Sequence, residues 1–337
     1  MMYKLVEVNV DHINEGRFNK FETKTIYTTK EWLRFIIRTQ SNVKICVLEI
    51  YENDRFLGYF TGAIVTLAKS FRILGSPFNG WNTMSMGFDL YDSSEAIKLI
   101  PHVVRYFQEN HYCLYSQISN LYFDKDELLI CNMRVQSSVG YQTDLTLPEQ
   151  ELYSRLSKGT KANIKKFERM DCRVEEDYSQ EFVDLYWNQL VETFGKQGLA
   201  PSYDKKRIEV MIDELSENGM ILCIKAVTPE GICPATLIQI GYGYLSITVG
   251  CPSFLKYQKD FRPNEALMWY AIKHWKHKGA ALFDYGGGGE YKKKYGGNPI
   301  EYNTVSFSRI PGLFALKEIA KTAYWKLNSL KARIKTQ

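Results

Sequence analysis

Residues 283–297 read Phe283-Asp284-Tyr285-Gly286-Gly287-Gly288-Gly289-Glu290-Tyr291-Lys292-Lys293-Lys294-Tyr295-Gly296-Gly297. A short apolar run from Ala280 leads into an acidic residue, four glycines, a cationic and aromatic cluster, and two more glycines. Four consecutive glycines hold no regular structure, because each loses more backbone entropy on ordering than any other residue. They are used where the main chain turns through positive φ or passes close to a ligand. This loop opens no long helix and lacks the glycine spacing of nucleotide-binding loops, so it reads as the rim of a cleft.

The rest of the chain is the scaffold for that rim. At 337 residues it exceeds one comfortable core, which predicts two domains. Hydrophobic content of 45% and charged content of 24% are those of an ordinary globular protein. Twenty-three tyrosines point to polar-tipped aromatics lining clefts as well as cores. Seven dispersed cysteines without a Cys-x-x-Cys pair argue for a reducing compartment and against a disulfide framework. Cys251 reads as a packed strand-end cysteine rather than a nucleophile. No signal peptide and no bilayer-length apolar run is visible, so a cytoplasmic or peripheral protein is expected. The net charge of +5 is carried by the tail from Leu313, where six Lys and Arg face Glu318 alone. The balanced remainder excludes a globally basic nucleic-acid-binding body.

Taken in order, residues 1–140 predict mixed α/β structure. A helix over Glu31–Arg38 follows a cap at Thr28-Thr29. Strands over Lys44–Glu52 and Phe56–Leu67 flank an Asn53-Asp54 turn. The strand from Phe71 runs into a loop rich in Gly, Pro, Asn and aromatics ending near Thr83. That loop, with Trp81, is either a structured turn or part of a site wall. A helix over Ser94–Glu109 and short strands at Tyr112–Ile118 and Met133–Val135 complete this half. From Gln142 the pattern restarts with a strand over Thr143–Leu147 and a helix opened by Pro148. In the basic helix that follows, Lys158, Lys161 and Lys165 share one face, which either binds phosphates or is simply solvated. Helices over Glu181–Thr193 and Tyr203–Glu217 precede a three-strand meander: Ile221–Val227, Cys233–Ile240 and Tyr244–Gly250. Asn264 is the expected N-cap of a helix whose stripe is Leu267, Met268, Ala271, Ile272 and Trp275, ended by Gly279. A short strand, the glycine loop and a last strand near Thr304–Ser308 follow. His274 and His277 lack a third partner in sequence, so no metal site is expected.

Three antiparallel strands, a capped helix, a strand, a functional loop and a final strand is the order of a GNAT acyltransferase domain. The chain resembles the Fem-type aminoacyltransferases of peptidoglycan synthesis, and more closely the Fem-like GNAT proteins associated with exopolysaccharide and cellulose synthesis. The likeness rests on the basic helix Lys158–Arg169 and on Pro263-Asn264-Glu265-Ala266-Leu267. It rests also on Phe283-Asp284-Tyr285-Gly286-Gly287 and on Tyr291-Lys292-Lys293-Lys294-Tyr295-Gly296. It implies an α/β (α+β) fold of two tandem GNAT-like lobes, each a mixed, mostly antiparallel sheet flanked by helices. The lobes are expected at 1–140 and 141–312.

The resemblance implies N-acyl or aminoacyl transfer to an amine of a cell-envelope or polysaccharide precursor, a small or lipid-linked sugar or peptide. No tightly bound cofactor is expected; acyl-CoA or aminoacyl-tRNA is the co-substrate. It places the family's functional lysine at Lys292, a cation for the developing oxyanion. Asp284 and Glu290 are the nearest candidate bases, Asp284 being equally suited to capping loop amides. Tyr291 and Tyr295 would orient the acceptor or protonate the leaving group. Tyr285, Gly286, Gly287 and Trp81 would meet the substrate, and Lys158, Lys161, Lys165, Arg262 and Asn264 the donor's phosphates. One stretch departs from acetyl-CoA-dependent relatives: Lys259-Asp260-Phe261-Arg262-Pro263-Asn264 stands where they carry a glycine-rich pyrophosphate loop, and Pro263 removes an amide donor. This motivates the alternative of an inactive accessory module of a polysaccharide synthesis complex. The tail 313–337 has apolar residues at helical spacing with lysines between, which predicts a basic amphipathic helix for an anionic membrane surface or for packing on the body.

Overall fold

The computed structural model describes residues 3–67, 71–78, 80–314 and 322. The described residues divide into two units, one holding those up to Val139 together with 301–314, the other Gly140–Ile300.

The first unit runs β1 (Tyr3–Val8), α1 (Glu15–Phe18), α2 (Lys30–Thr39), β2 (Val43–Glu52), β3 (Arg55–Leu67), β4 (Phe71–Ser76), β5 (Gly87–Leu90), α3 (Ala96–Asn110), β6 (Cys113–Asn120) and α4 (Lys125–Ile130). Thr29 starts α2 as expected, its hydroxyl accepting from the Trp32 amide. Asn53 and Asp54 both take positive φ, which matches the twist of the β2–β3 hairpin. β1, β2, β3 and β4 pair antiparallel in that order, β5 adds to β3, and β4 pairs parallel with β6. The parallel step is possible because α3 crosses between β4 and β6. Its buried stripe, including Leu99, Ile100, Val103 and Phe107, packs with Leu48, Phe60 and Leu74 of the strands.

The loop after β4 resolves as a structured turn. Trp81 is buried and lies edge-on to Phe78 at 4.9 Å, and the indole of Trp32 donates to Thr83 Oγ1 at 3.0 Å. In the same unit a buried ion pair joins Lys24 Nζ to Asp89 Oδ2 at 3.0 Å.

The strand-like runs at Met133–Val135 and Thr143–Leu147 are one strand, β7 (Arg134–Asp144). The polar Ser137-Ser138 and Gly140 between them mimic a break in the sequence. The second unit then runs α5 (Glu149–Arg155), α6 (Lys158–Arg169), β8 (Arg173–Glu176), α7 (Gln180–Gly195), α8 (Lys205–Leu215), β9 (Ile221–Val227), β10 (Thr236–Tyr242), β11 (Leu245–Gly250), α9 (Leu255–Phe261), α10 (Pro263–His277) and β12 (Leu282–Asp284). β8 to β11 pair antiparallel in sequence order, β12 joins β11 in parallel, and β7 lies antiparallel to β12. Both units thus repeat one plan: an antiparallel run, a crossing helix, and a parallel partner for the last strand.

α10 buries the predicted stripe in the core of this unit with Leu222, Leu237 and Phe283. Gly241 is needed beneath it, because a Cβ there would lie 2.7 Å from the Trp275 ring. Gly279, at φ +86°, follows its C-terminus. Its N-cap is Arg262 rather than Asn264, since Pro263 occupies the first helical position and Asn264 is already inside. The short helix α9 has no counterpart in the sequence reading. The last strand, β13 (Asn298–Ser308), is longer than expected, and its residues 303–308 pair with β6 of the first unit. The amphipathic helix expected over 313–337 lies outside the described residues, apart from 313, 314 and 322. No helix among the described residues is long and apolar enough to cross a membrane.

Candidate functional site

The site begins where two parallel strands part. Ser246 and Ile247 of β11 pair with Phe283 and Asp284, after which β12 ends while β11 continues to Gly250. On its other side β11 carries a bulge: Gln239 faces Thr248 and Ile238 faces Gly250, which leaves Val249 without a residue opposite. A bulge of this kind turns backbone groups out of the ladder. The chain leaving β12 stays close to β11 through Gly286, whose φ is +66° and whose Cβ, were there one, would stand 2.2 Å from the Thr248 carbonyl oxygen. Only glycine fits that approach.

Side chains then lock the loop from beneath. Asp284 is 1% exposed, and its Oδ1 accepts from the Gly286 amide at 2.7 Å while Oδ2 accepts from Gln142 Nε2 at 3.0 Å. The Tyr285 hydroxyl lies 2.7 Å from Thr143 Oγ1 and donates to the Tyr295 carbonyl at 3.0 Å, and the two tyrosine rings stack. Lys292 is 4% exposed; its ammonium donates to the carbonyls of Gly286 and, at 2.7 Å, Gly287. Burial pulls the Lys292 pKa below the ordinary lysine value, opposed by the charge of Asp284. A 3₁₀ turn over Glu290–Tyr295 presents this lysine and ends at Gly296 in the left-handed region.

The result is a cleft of about 430 Å³. One wall is Thr248, Val249, Gly250 and Cys251; a second is Gln258, Arg262, Asn264, Glu265 and Met268 from α9 and α10. The third is Tyr285, Gly286, Tyr291, Lys292, Lys294 and Tyr295 from the loop. Arg262 sits at φ +52°, an uncommon conformation for a residue with a side chain, and opens α10 with no side-chain cap. The Asn264 amide donates to the carbonyl of Cys251 at 2.8 Å and to its sulfur at 3.3 Å. Burial pushes the Cys251 thiol up to about 12, which favours the protonated thiol over the nucleophilic thiolate. Lys294 Nζ lies 2.8 Å from Glu265 Oε1.

Of the residues singled out in the sequence, Lys292, Tyr291, Tyr285, Gly286, Tyr295, Arg262 and Asn264 meet in this cleft. Asp284 does not line it; it is spent on capping the loop amide and holding Gln142. Glu290 points to solvent and pairs with Lys293 at 3.2 Å. Gly287 contributes a carbonyl to Lys292 without lining the cleft. Trp81 belongs to the core of the first unit. Lys158, Lys161 and Lys165 stand on α6, away from the lining; Lys161 donates to the Ser154 carbonyl at 2.6 Å, and Lys165 edges a shallow surface groove with Glu168 and Arg169. Sequence reasoning missed Glu265, Lys294, Gln258 and the bulge at Val249. A carboxylate in the first turn of α10 was the one legible signal among them.

No family model and no curated protein sequence matches the chain. Among solved structures, the crystal structure of FemX superposes with a TM-score of 0.72 at 13% identity, covering 90% of this chain and 97% of FemX. The chain has the FemX fold. A tandem GNAT protein from the clavulanic acid biosynthesis pathway gives 0.53 at 8% identity, with 92% of this chain and 99% of that one covered. L-PGS from Bacillus licheniformis gives 0.53 at 12% identity, covering 92% and 98%. The expected fold class, tandem GNAT-like lobes with mixed, mostly antiparallel sheets flanked by helices, is borne out by these likenesses and by the strand pairing above.

Among the described residues, His274 and His277 of α10 have no shared partner: Glu176 is near the first at 3.6 Å and Glu149 near the second at 3.6 Å. Among the described residues, the trio with metal-ligand atoms within 4.8 Å is Glu7, Cys46 and His111 in the first unit. Its Glu7 is already taken up by Lys44 and His111, each at 2.8 Å.

Proposed function

We propose that the protein is an acyltransferase, of N-acyl or aminoacyl type, acting on an amine of a cell-envelope or polysaccharide precursor, with residues 1–140 and 141–312 as its two lobes. The observation that carries the reading is the convergence of the bulge at Val249, the glycine-forced approach at Gly286 and the buried cation of Lys292 on one cleft. Acyl transfer passes through a tetrahedral oxyanion, which fixed donors and a nearby positive charge stabilise. Backbone amides freed at the bulge and the Lys292 ammonium are such groups. Two of its three donors hold the loop carbonyls, which leaves a charge and one donor for the substrate. Tyr291, largely exposed at the mouth, is placed to orient the acceptor or return a proton to the leaving group.

Acyl-CoA or aminoacyl-tRNA would be the donor, its phosphates meeting Arg262 and the exposed lysines Lys158 and Lys165 of α6. The chain from Leu313 would rest on an anionic membrane surface. A second reading, a binding module that has lost its chemistry, draws on Pro263 and Glu265 standing at the start of α10, where a phosphate favours bare amides. Thermal-shift measurements with acyl-CoAs, charged tRNA and nucleotide sugars separate the two. Stabilisation by one donor class, reduced by Lys292→Ala, supports transfer; stabilisation by none, with partner-protein binding retained, supports the second.

A further inference from the structure

Glu265 is the one carboxylate among the described residues that line the cleft, amid the cations Arg262, Lys292 and Lys294. It is buried, and it sits in the first turn of α10, where the helix N-terminus favours a negative charge. The seat that a donor phosphate would use at this helix therefore already holds an anion belonging to the chain. Among the described residues, the partner of that anion is itself a primary amine, the Lys294 ammonium at 2.8 Å.

The two ends of that pair are held very differently. The Lys294 backbone is pinned to the start of α6, its carbonyl accepting from the Ser157 amide at 2.9 Å and from Thr160 Oγ1 at 3.2 Å. Its side chain is 35% exposed, against 10% for Glu265. Lys294 can thus swing toward water by rotamer changes alone, whereas Glu265 stays where α10 puts it. A buried carboxylate left without a cation is strongly disfavoured, so whatever displaces Lys294 must bring a positive charge with it.

We infer that Glu265 is the seat for a primary ammonium of the ligand, and that Lys294 occupies this seat in the free protein as an internal stand-in. The inference rests on the acyl-transfer reading for one point only, that this ammonium, once it has passed a proton to the Glu265 carboxylate, is the acceptor amine whose nitrogen attacks. Glu265 is then a specificity-determining residue that admits amines and turns away hydroxyl acceptors, because an alcohol cannot replace the charge that Lys294 removes. The internal lysine weakens binding by the fraction of time it covers Glu265.

Met268 lines the same cleft and serves as the reporter. Full-length protein labelled with ¹³C-methyl methionine is titrated with ethanolamine and, as the uncharged control, with ethylene glycol. The Met268 signal is assigned by its loss in Met268→Leu. The expected result is a saturable shift with ethanolamine and none with ethylene glycol, an apparent Kd lowered about fivefold or more in Lys294→Met, and loss of the shift in Glu265→Gln. Glu265→Asp, which keeps the charge but withdraws it, weakens binding without abolishing it. Unchanged signals from the other methionines report that each variant is folded. An equal response to ethylene glycol, or an undiminished response in Glu265→Gln, overturns the seat. An assay of acyl transfer to amines, run in parallel, keeps the two readings apart. Amine binding through Glu265 without transfer removes the transferase, and transfer indifferent to Glu265 removes the seat.

Discussion

Replacing Gly286 by alanine probes the point where the cleft is built. The residue sits at φ +66°, and its missing Cβ would stand 2.2 Å from the Thr248 carbonyl oxygen and 3.3 Å from the carbonyl carbon. Holding an L-residue in the left-handed region costs roughly 1–2 kcal/mol. Forcing a methyl group against fixed backbone adds roughly 1–3 kcal/mol, for a total of about 2–5 kcal/mol. Gly287 provides the internal control. It has nearly the same φ, +67°, but a Cβ there meets nothing within 4 Å, so Gly287→Ala should cost only the first part. Urea unfolding followed by tryptophan fluorescence measures both, with the slope expected to stay constant while the midpoint falls. The Gly286 variant should lose about 1–3 kcal/mol more than the Gly287 variant. Equal midpoints would refute the argument that the parting of β11 and β12 depends on this contact.

Three further outcomes follow from the same structure. With Lys292 acting as a cation, transfer should fall as pH rises through its pKa, at a midpoint below that of an ordinary lysine because burial lowers it; Lys292→Arg, charged throughout, should move that limb to higher pH in a pH–rate profile. Cys251, held protonated with its thiol near pKa 12, should resist iodoacetamide at pH 8, and Cys251→Ala should keep activity within a few-fold in the same transfer assay. Asp89→Ala strands the buried Lys24 ammonium and should cost about 3–5 kcal/mol in chemical unfolding, whereas exposed Glu301→Ala, paired with Lys125, should cost under about 1 kcal/mol.

Much of the scaffold was legible because its signals are local. Thr29 as a cap, the Asn53-Asp54 turn, the meander punctuated by Gly231 and Gly243, and the α10 stripe ended by Gly279 each follow from a few neighbouring residues. The glycine loop was legible as a close approach, though not what it approaches: Thr248 lies 38 positions earlier and meets Gly286 only through the parallel pairing of β11 and β12. Asp284 read equally well as a base or a cap, and only the positions of Gln142 and the Gly286 amide decide for the cap. Glu265 was passed over because its meaning depends on Lys294, 29 residues away. Trp81 misled because an aromatic in a glycine- and proline-rich loop looks the same in sequence whether it faces Phe78 or a ligand. The bulge at Val249 depends on the register between two strands, which no single stretch encodes.

The central claim is that the cleft around Lys292 transfers acyl groups to amines. Its most direct test is a single-turnover measurement with isotope-labelled acyl-CoA and aminoacyl-tRNA donors and amino-sugar or amino-acid acceptors, read by mass spectrometry of the product amide, in wild type and Lys292→Met. Amide formation from one donor class is expected in the wild type, with a loss of about 100-fold or more in the variant, the scale of removing one oxyanion donor. Transfer that survives Lys292→Met undiminished, or none from either donor class while ligands still bind the cleft, would contradict it.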